Sequence, residues 1–294
     1  MIVLYAMTAK GVAVFDALDP SLVRAVVSAR DPGTTDDSYR QLSERCAERG
    51  VPFLDRGDEV PAAPYALAAG WRWMIPELPG RTLIAFHDSL LPRYRGFNPL
   101  VTALLAGDAE SGVTALLATG EYDRGDILGQ VRVSLRPRPM RIATAVDLMA
   151  RAYAVLAADL GQRIAAGERL TATPQDDDLA SYSLWRDDAD YEMDWSRPAS
   201  WLRDFVYAVG PPYAGARSLL DGQPVRIHDV TAEPDVVVAN RTPGKVIFLR
   251  DGRPTVVCGS GLLRVDALTD DGGRDLLPLR RFRVRFGRSH DVGR

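Results

Sequence analysis

Over the first 165 residues, short apolar runs alternate with stretches whose apolar positions recur every three or four residues. Residues 2–6, 22–28, 65–69, 83–87, 113–118 and 126–133 read as strands. Several are continuous apolar runs, as expected of strands covered on both faces. Residues 11–18, 36–48 and 99–105 read as helices. A longer amphipathic helix is predicted over 141–166, with Ala145, Leu148, Met149, Ala152, Val155 and Leu156 on its apolar side. Strand–helix alternation of this kind predicts an α/β fold built on a doubly wound, mainly parallel sheet.

The rhythm breaks at the polar, acidic passage TATPQDDDLASYS, residues 171–183, which reads as a linker. Beyond it a helix is predicted near 198–207. Short β-like runs follow (VRIHDV, GKVIFL, TVVCG and LLRVDAL), separated by glycine-bearing turns. They suggest a small barrel or sandwich. The expected organisation is an α/β domain over 1–170, a linker over 171–197 and a smaller C-terminal β domain over 198–294.

Composition narrows the class. With 294 residues, 46% of them hydrophobic and 26% charged, the chain has the balance of a soluble globular protein with one or two domains. A formal net charge of -3 gives no global basic field for nucleic acid or an anionic membrane. Lys10 and Lys245 are the only lysines among 36 basic residues, which fits either a coding bias or a use of arginine for anion recognition. Cys46 and Cys258 lack metal-ligand spacing, so no metal is expected. MIVLYAMTAKG has neither the basic start nor the apolar core of a signal peptide. No window approaches the roughly 20 apolar residues that cross a bilayer. A reducing cytoplasm is the default expectation.

The chemistry concentrates between Leu83 and Gln130. His87, one of three histidines, directly follows an apolar run, and Asp123 sits in the turn-like segment EYDRG before another run. An imidazole and a carboxylate at strand mouths are suited to moving protons at a nucleophile. Open α/β sheets bind ligands outside the carboxyl ends of their strands. Each residue also has a plain structural use. The histidine caps a strand end; the aspartate makes a turn before Gly125, and Asp126 competes for its role.

Arg93 and Arg95 flank Tyr94 and suit either a substrate phosphate or a solvated loop. Asn98, before Pro99, suits a helix N-cap. In GWRWMI, residues 70–75, Trp71 and Trp73 either wall a flat aromatic ligand or pack the interior. No GxGxxG or Walker lysine pattern is present. In LRRFRVRFGR, Arg280, Arg281, Arg283 and Arg285 partly alternate with Phe282, Val284 and Phe286, which reads as a solvated edge strand rather than a nucleic-acid surface.

The run HDSLLPRYRG, with the later GVT and DRGDI, resembles the tetrahydrofolate-dependent formyltransferases. These include glycinamide ribonucleotide transformylase, methionyl-tRNA formyltransferase and the nucleotide-sugar N-formyltransferases. The resemblance covers residues 65–135 by motif and the whole chain by organisation. It implies that an amine attacks the formyl carbon of N10-formyltetrahydrofolate, the co-substrate. It further implies that His87 is the catalytic histidine and that Asp123 orients it and orders a proton-shuttling water. Gly70, Trp71, Arg72, Trp73 and Met74, with Leu90, Thr119 and Tyr122, would then hold the pterin. Ser89, Arg93, Tyr94 and Arg95 would face the second substrate. SLWR, DY and DW, followed by GPPYAGARSLLDGQPVRIHDV, resemble the linker and C-terminal domain of members acting on tRNA or amino sugars, and SLWR, DY and DW are closer to the sugar-modifying ones. Tyr182, Trp185, Arg186, Tyr191 and Trp195 are expected to pack that segment onto the catalytic domain.

One position departs from the resemblance. The family's third catalytic residue is an asparagine two positions before the histidine, and here that position is Ala85. Losing one oxyanion donor commonly costs about a hundred- to a thousandfold in rate. Three explanations stand open: Asn98, Ser89 or a backbone N–H supplies the donor; the enzyme is slow; or the chemistry has diverged. The expected activity is formyl transfer to a small-molecule amine, a nucleotide-linked amino sugar. Its alternatives are hydrolysis, cyclisation or another one-carbon transfer in the same cleft, and non-catalytic binding of folate or a nucleotide sugar. The acidic balance disfavours nucleic acid as a partner, no membrane is implied, and the sugar-modifying resemblance implies a homodimer.

Overall fold

The computed structural model describes residues 1–30, 37–76 and 80–287. The chain divides into two compact units. The first comprises Met1–Ala103, Asp108–Arg136 and Thr144–Trp185; the second comprises Leu104–Gly107, Pro137–Ala143 and Arg186–Arg294.

The first unit is built on β1 (Ile2–Ala6), β2 (Val23–Ser28), β3 (Phe53–Asp55), β4 (Tyr65–Ala69), β5 (Thr82–His87), the two-residue β6 (Arg95–Gly96), β7 (Glu110–Leu117) and β8 (Ile127–Ser134). Seven of them form one sheet in the order β3-β2-β1-β4-β5-β7-β8. Pairing is parallel from β3 to β5 and antiparallel at β5–β7 and β7–β8, the mainly parallel α/β sheet expected. All five residues of β1 are buried between strands on either side, which is why its pattern is a continuous apolar run rather than an alternation. β3 escapes sequence detection because three residues, two half-buried and one exposed, carry no period.

Helices α1 (Thr8–Ala17), α2 (Ser38–Arg49), α3 (Pro99–Ala106) and α4 (Ile142–Ala165) connect or cover the strands. Asp36, in the predicted span of α2, lies outside the described residues. That helix stops at Gly50, whose left-handed φ of 64° lets its N–H return to Ala47 and Cys46. On α4, Ile142, Ala145, Met149, Ala152, Leu156 and Leu160 are buried at helical spacing. Val155 is 60% exposed, against expectation, because one residue's rotation turns it off the face that Leu156 occupies.

The passage at 171–183 is no free tether. Ile127 and Thr173 exchange backbone hydrogen bonds of 2.8 Å, and β9 (Tyr182–Ser183) pairs in parallel with β6. Its backbone groups therefore find partners inside the first unit.

The second unit carries α5 (Ala199–Ala208) and six antiparallel strands: β10 (Ala216–Leu220), β11 (Gln223–Glu233), β12 (Val246–Arg250), β13 (Arg253–Val257), β14 (Leu262–Asp270) and β15 (Phe286–Gly287). Their order is β12-β13-β14-β11-β10-β15. The basic segment keeps Arg280, Arg281, Arg283 and Arg285 exposed, as expected, while its backbone helps join the sheet's two outer strands. Lys245 bridges Arg285, and the N–H of Phe286 donates to Gly244 O at 2.7 Å. Its alternation is imperfect: Val284 and Phe286 are buried, but Phe282 is 48% exposed. Trp195, expected against the catalytic domain, packs inside the second unit, on Phe286 and with its indole N–H on Ser218. Tyr182 and Trp185 are exposed. Among the described residues no helix is long and apolar enough to cross a membrane.

Candidate active site

His87 ends β5, buried, in register with Thr114 on β7. Ala85, two residues earlier, presents its methyl to the same face of the sheet. The ring's Nε2 lies 2.8 Å from the backbone oxygen of Tyr94. A carbonyl only accepts, so Nε2 carries a proton and Nδ1 is the nitrogen left for exchange. Nδ1 faces Asp123 Oδ1 at 3.4 Å.

Asp123 does not share a strand mouth with His87. Its loop leaves β7 at Leu117, which pairs with Ile84, three residues before the histidine on β5. The loop must therefore fold back roughly 10 Å along the strand. It does so with Asp123 at φ +54°, a left-handed backbone uncommon outside glycine. Gly125 makes the bend possible: a Cβ there would sit 1.6 Å from Leu117 O. Asp123 Oδ2 accepts the N–H of Gly96 at 2.8 Å. Gly96, at φ +98°, is itself backed so closely on Ser183 that a Cβ would meet its carbonyl at 2.6 Å. Asp126, the competing carboxylate, is exposed and its carbonyl closes the loop's base on Leu117 N–H. The structure brings Asp123, not Asp126, to the histidine.

Sequence reasoning missed two supports. Gln175, in the stretch read as a linker, donates to Asp123 O and Gly125 O, both at 2.7 Å, and accepts from Arg95 Nε at 3.0 Å and Nη2 at 2.9 Å. No local pattern signals such a contact, which spans some fifty residues. The second support is Asp88, which pairs with Lys10 and accepts from the Tyr153 hydroxyl at 2.6 Å. Burial pushes the Asp88 carboxyl up, but Lys10 and Tyr153 together hold it below its ordinary value. Burial and the Asp88 carboxylate drive the Tyr153 phenol far upward. Lys10, as one of two lysines in an arginine-rich chain, was the available signal.

Several expected contacts are corrected. Arg95 is neither solvated nor available to a phosphate: it is fully buried, bound to Gln175 and ion-paired with Asp177 at 2.8 Å. Ser89 is also buried, with its hydroxyl donating to Arg93 O at 2.6 Å, so it turns a loop rather than facing ligand. Arg93 is exposed and shares Asp108 with the Tyr94 hydroxyl. Asn98 stands at φ +50° before α3, its carbonyl accepting from Thr102; the hydrogen bonds around His87 do not include it.

Of the residues expected around a pterin, Gly70 backs onto Met7 and Thr8. Trp71 packs edge-on against Tyr5 and Trp73, and Arg56 stacks over the Trp73 ring at 4.5 Å, so both tryptophans are bound into packing. The Trp71 Nε1 is nevertheless buried without a partner among the described residues. Arg72 and Met74 are exposed, Leu90 lies against the Gly112 backbone, and Thr119 accepts within its own turn. Tyr122 is 62% exposed and leans on Phe97 at 5.7 Å. A cavity of about 600 Å³ lies elsewhere, on the second unit, lined by Leu220, Asp221, Val225, Leu276, Arg280 and Arg281 among others. Among the described residues no cluster of His, Cys, Asp or Glu is arranged to hold a metal.

Comparison with known proteins bears on this geometry. Residues 57–153 match the family described as formyl transferase, and residues 187–281 match the formyl transferase C-terminal domain. A methionyl-tRNA formyltransferase of Burkholderia pseudomallei is 35% identical over 266 residues, 89% of this chain and 78% of that protein. Among solved structures, an N-formyltransferase from Helicobacter canadensis in complex with folinic acid and dTDP-3-aminofucose aligns with a TM-score of 0.67 at 14% identity, covering 90% of this chain and 98% of that one. HypX from Aquifex aeolicus in complex with tetrahydrofolic acid aligns at 0.59 and 18% identity over 92% of this chain, which spans 44% of HypX.

Proposed function

The chain belongs to the formyl transferase family, and on that premise we propose that it moves the formyl group of N10-formyltetrahydrofolate to the amine of a nucleotide-linked amino sugar. One observation carries the proposal: His87 Nδ1, with Nε2 already tied to Tyr94 O, faces the Asp123 carboxylate at 3.4 Å. That is the geometry of an acid/base imidazole with an anionic partner.

The co-substrate would be held by the 70–74 segment with Leu90, Thr119 and Tyr122. The fit rests on the exposed Met74 and Tyr122 side chains and on the unpartnered Trp71 indole, a buried donor that a ring heteroatom would satisfy. When bound, it supplies an activated formyl carbon. His87 takes the proton that the attacking nitrogen sheds as the new C–N bond forms. It returns that proton to N10 as the old C–N bond breaks, so protons balance. Asp123 Oδ1, 3.4 Å from Nδ1, is the carboxylate that faces the ring between those steps. Ala85 has no donor for the charge developing on the formyl oxygen. That duty falls to protonated His87, with Asn98 the second candidate.

The amino-sugar acceptor is supported by the chain's acidic balance and the likeness of its fold to an N-formyltransferase solved with dTDP-3-aminofucose. A second acceptor, initiator tRNA, is favoured by the methionyl-tRNA formyltransferase relatives. Mass spectrometry of reactions containing N10-formyltetrahydrofolate and either acceptor separates them. The amino sugar gains one formyl group with the parent protein and not with His87→Asn. Formylated tRNA alone, with binding that weakens steeply in salt, would favour the second acceptor. Equal product from parent and His87→Asn would sink the assignment of the histidine.

A further inference from the structure

We infer that Gln175 and Arg95 are positioning residues that hold the Asp123 loop in its working shape. The inference rests on His87 and Asp123 being the acid/base pair. Three consecutive residues around β6 each serve that pair. Tyr94 gives its carbonyl to His87 Nε2, and Gly96 gives its N–H to Asp123 Oδ2. Arg95 lies between them, fully buried, and sends its guanidinium to Gln175.

Gln175 completes the circuit. Its two amide hydrogens go to Asp123 O and Gly125 O, and its oxygen takes two N–H groups of Arg95. All of its hydrogen-bonding capacity is used. The guanidinium only donates and the carbonyls only accept, so the amide has one possible orientation. A left-handed aspartate outside a tight hairpin is strained and persists where its surroundings over-determine it. Gln175 and Gly96 are those surroundings. Asp177, paired with Arg95 at 2.8 Å and with Arg124 at 2.6 Å, fixes the guanidinium from its other side; the two arginines hold its carboxyl below the usual range.

The charges and donors facing Asp123 thus come from β5, β6 and the 171–185 stretch together. Removing the Gln175 amide frees two carbonyls and lets the loop relax. The carboxylate then drifts from the imidazole while both substrate surfaces remain.

Two variants test this. Gln175→Met keeps length and loses every hydrogen bond. Gln175→Glu keeps an acceptor for Arg95 but sets a carboxylate oxygen against two carbonyls. Both are expected to lower kcat by roughly ten- to a hundredfold with KM for either substrate within about twofold, since small misplacement of reacting groups costs rate rather than binding. In 15N-labelled protein, the His87 ring resonances are expected to shift in both variants and in Asp123→Asn. Parent-like kcat and unshifted resonances in both variants, alongside an inactive His87→Asn, would overturn the positioning role and leave the acid/base pair intact. A loss explained wholly by a smaller folded fraction would also overturn it. Full activity in His87→Asn would instead remove the reading on which it rests.

Discussion

Three aspartates, one in the first unit and two in the second, share a left-handed backbone: Asp123 at φ +54°, Asp221 at +48° and Asp251 at +51°. Asp221 and Asp251 are each followed by a glycine at positive φ. They make two-residue hairpin turns, with Leu220 opposite Gln223 and Arg250 opposite Arg253. Such turns demand that backbone because it matches the strand twist, and Asp–Gly is a favoured pair for them. Asp123 is followed by Arg124, and its loop closes no tight hairpin. Its conformation is imposed by Gly96, far behind it in the chain, and by Gln175, far ahead. In the second unit the odd backbone serves folding locally. In the first it is held from a distance to aim a carboxylate at His87, and strain maintained in that way is a mark of function.

The same substitution at all three positions sharpens the contrast. Asparagine tolerates the left-handed region as aspartate does and removes only the charge. Asp123→Asn should lower kcat/KM by on the order of a thousandfold, within the range that acid/base groups contribute, with a melting temperature close to the parent's. Unchanged kcat/KM would place Asp123 with the turn aspartates.

A fourth aspartate marks a middle case. Asp88 sits beside His87 yet is paired with Lys10, the two side chains 15% and 14% exposed. Asp88→Asn strands the ammonium and should cost roughly 3 kcal/mol of stability. The folded carboxyl lies below its ordinary 3.8. Its contribution is therefore complete above that value and lost as pH falls through the lower folded one. Melting temperature followed from pH 6 downward should fall less steeply below pH 4 in Asp88→Asn than in the parent. Parallel curves would show that the pair does not couple to folding.

The smallest effects belong to the hairpins. Asp251→Asn should change stability by less than about 0.5 kcal/mol. Asp221→Asn should cost no more than about 1 kcal/mol through its exposed ion pair with Arg281. Neither should alter turnover. A large rate loss in either would mean that the second unit's turns are not merely structural.

Much of this was legible in the sequence because it rests on local pattern. β1, β4 and β5 are apolar runs, α4 has a helical period, and His87 and Asp123 sit in motif residues of fixed order. What was not legible is long-range. Arg95 looks like any loop arginine until a glutamine eighty residues away binds it. Gln175 looks like linker until its amide meets two carbonyls of the Asp123 loop. Trp195 carries no mark of which unit it will pack in. The two outer strands near Lys245 and Arg285 meet through backbone groups that side-chain patterning does not report.

The central claim is that His87 and Asp123 work as one unit. A double-mutant cycle on kcat/KM for formyl transfer, using His87→Asn, Asp123→Asn and the combined variant, tests it most directly. Residues that act together are strongly non-additive. The combined variant should then be no slower than His87→Asn alone. If instead its loss equals the product of the two single losses, the two side chains act independently and the pair is not the site's working element.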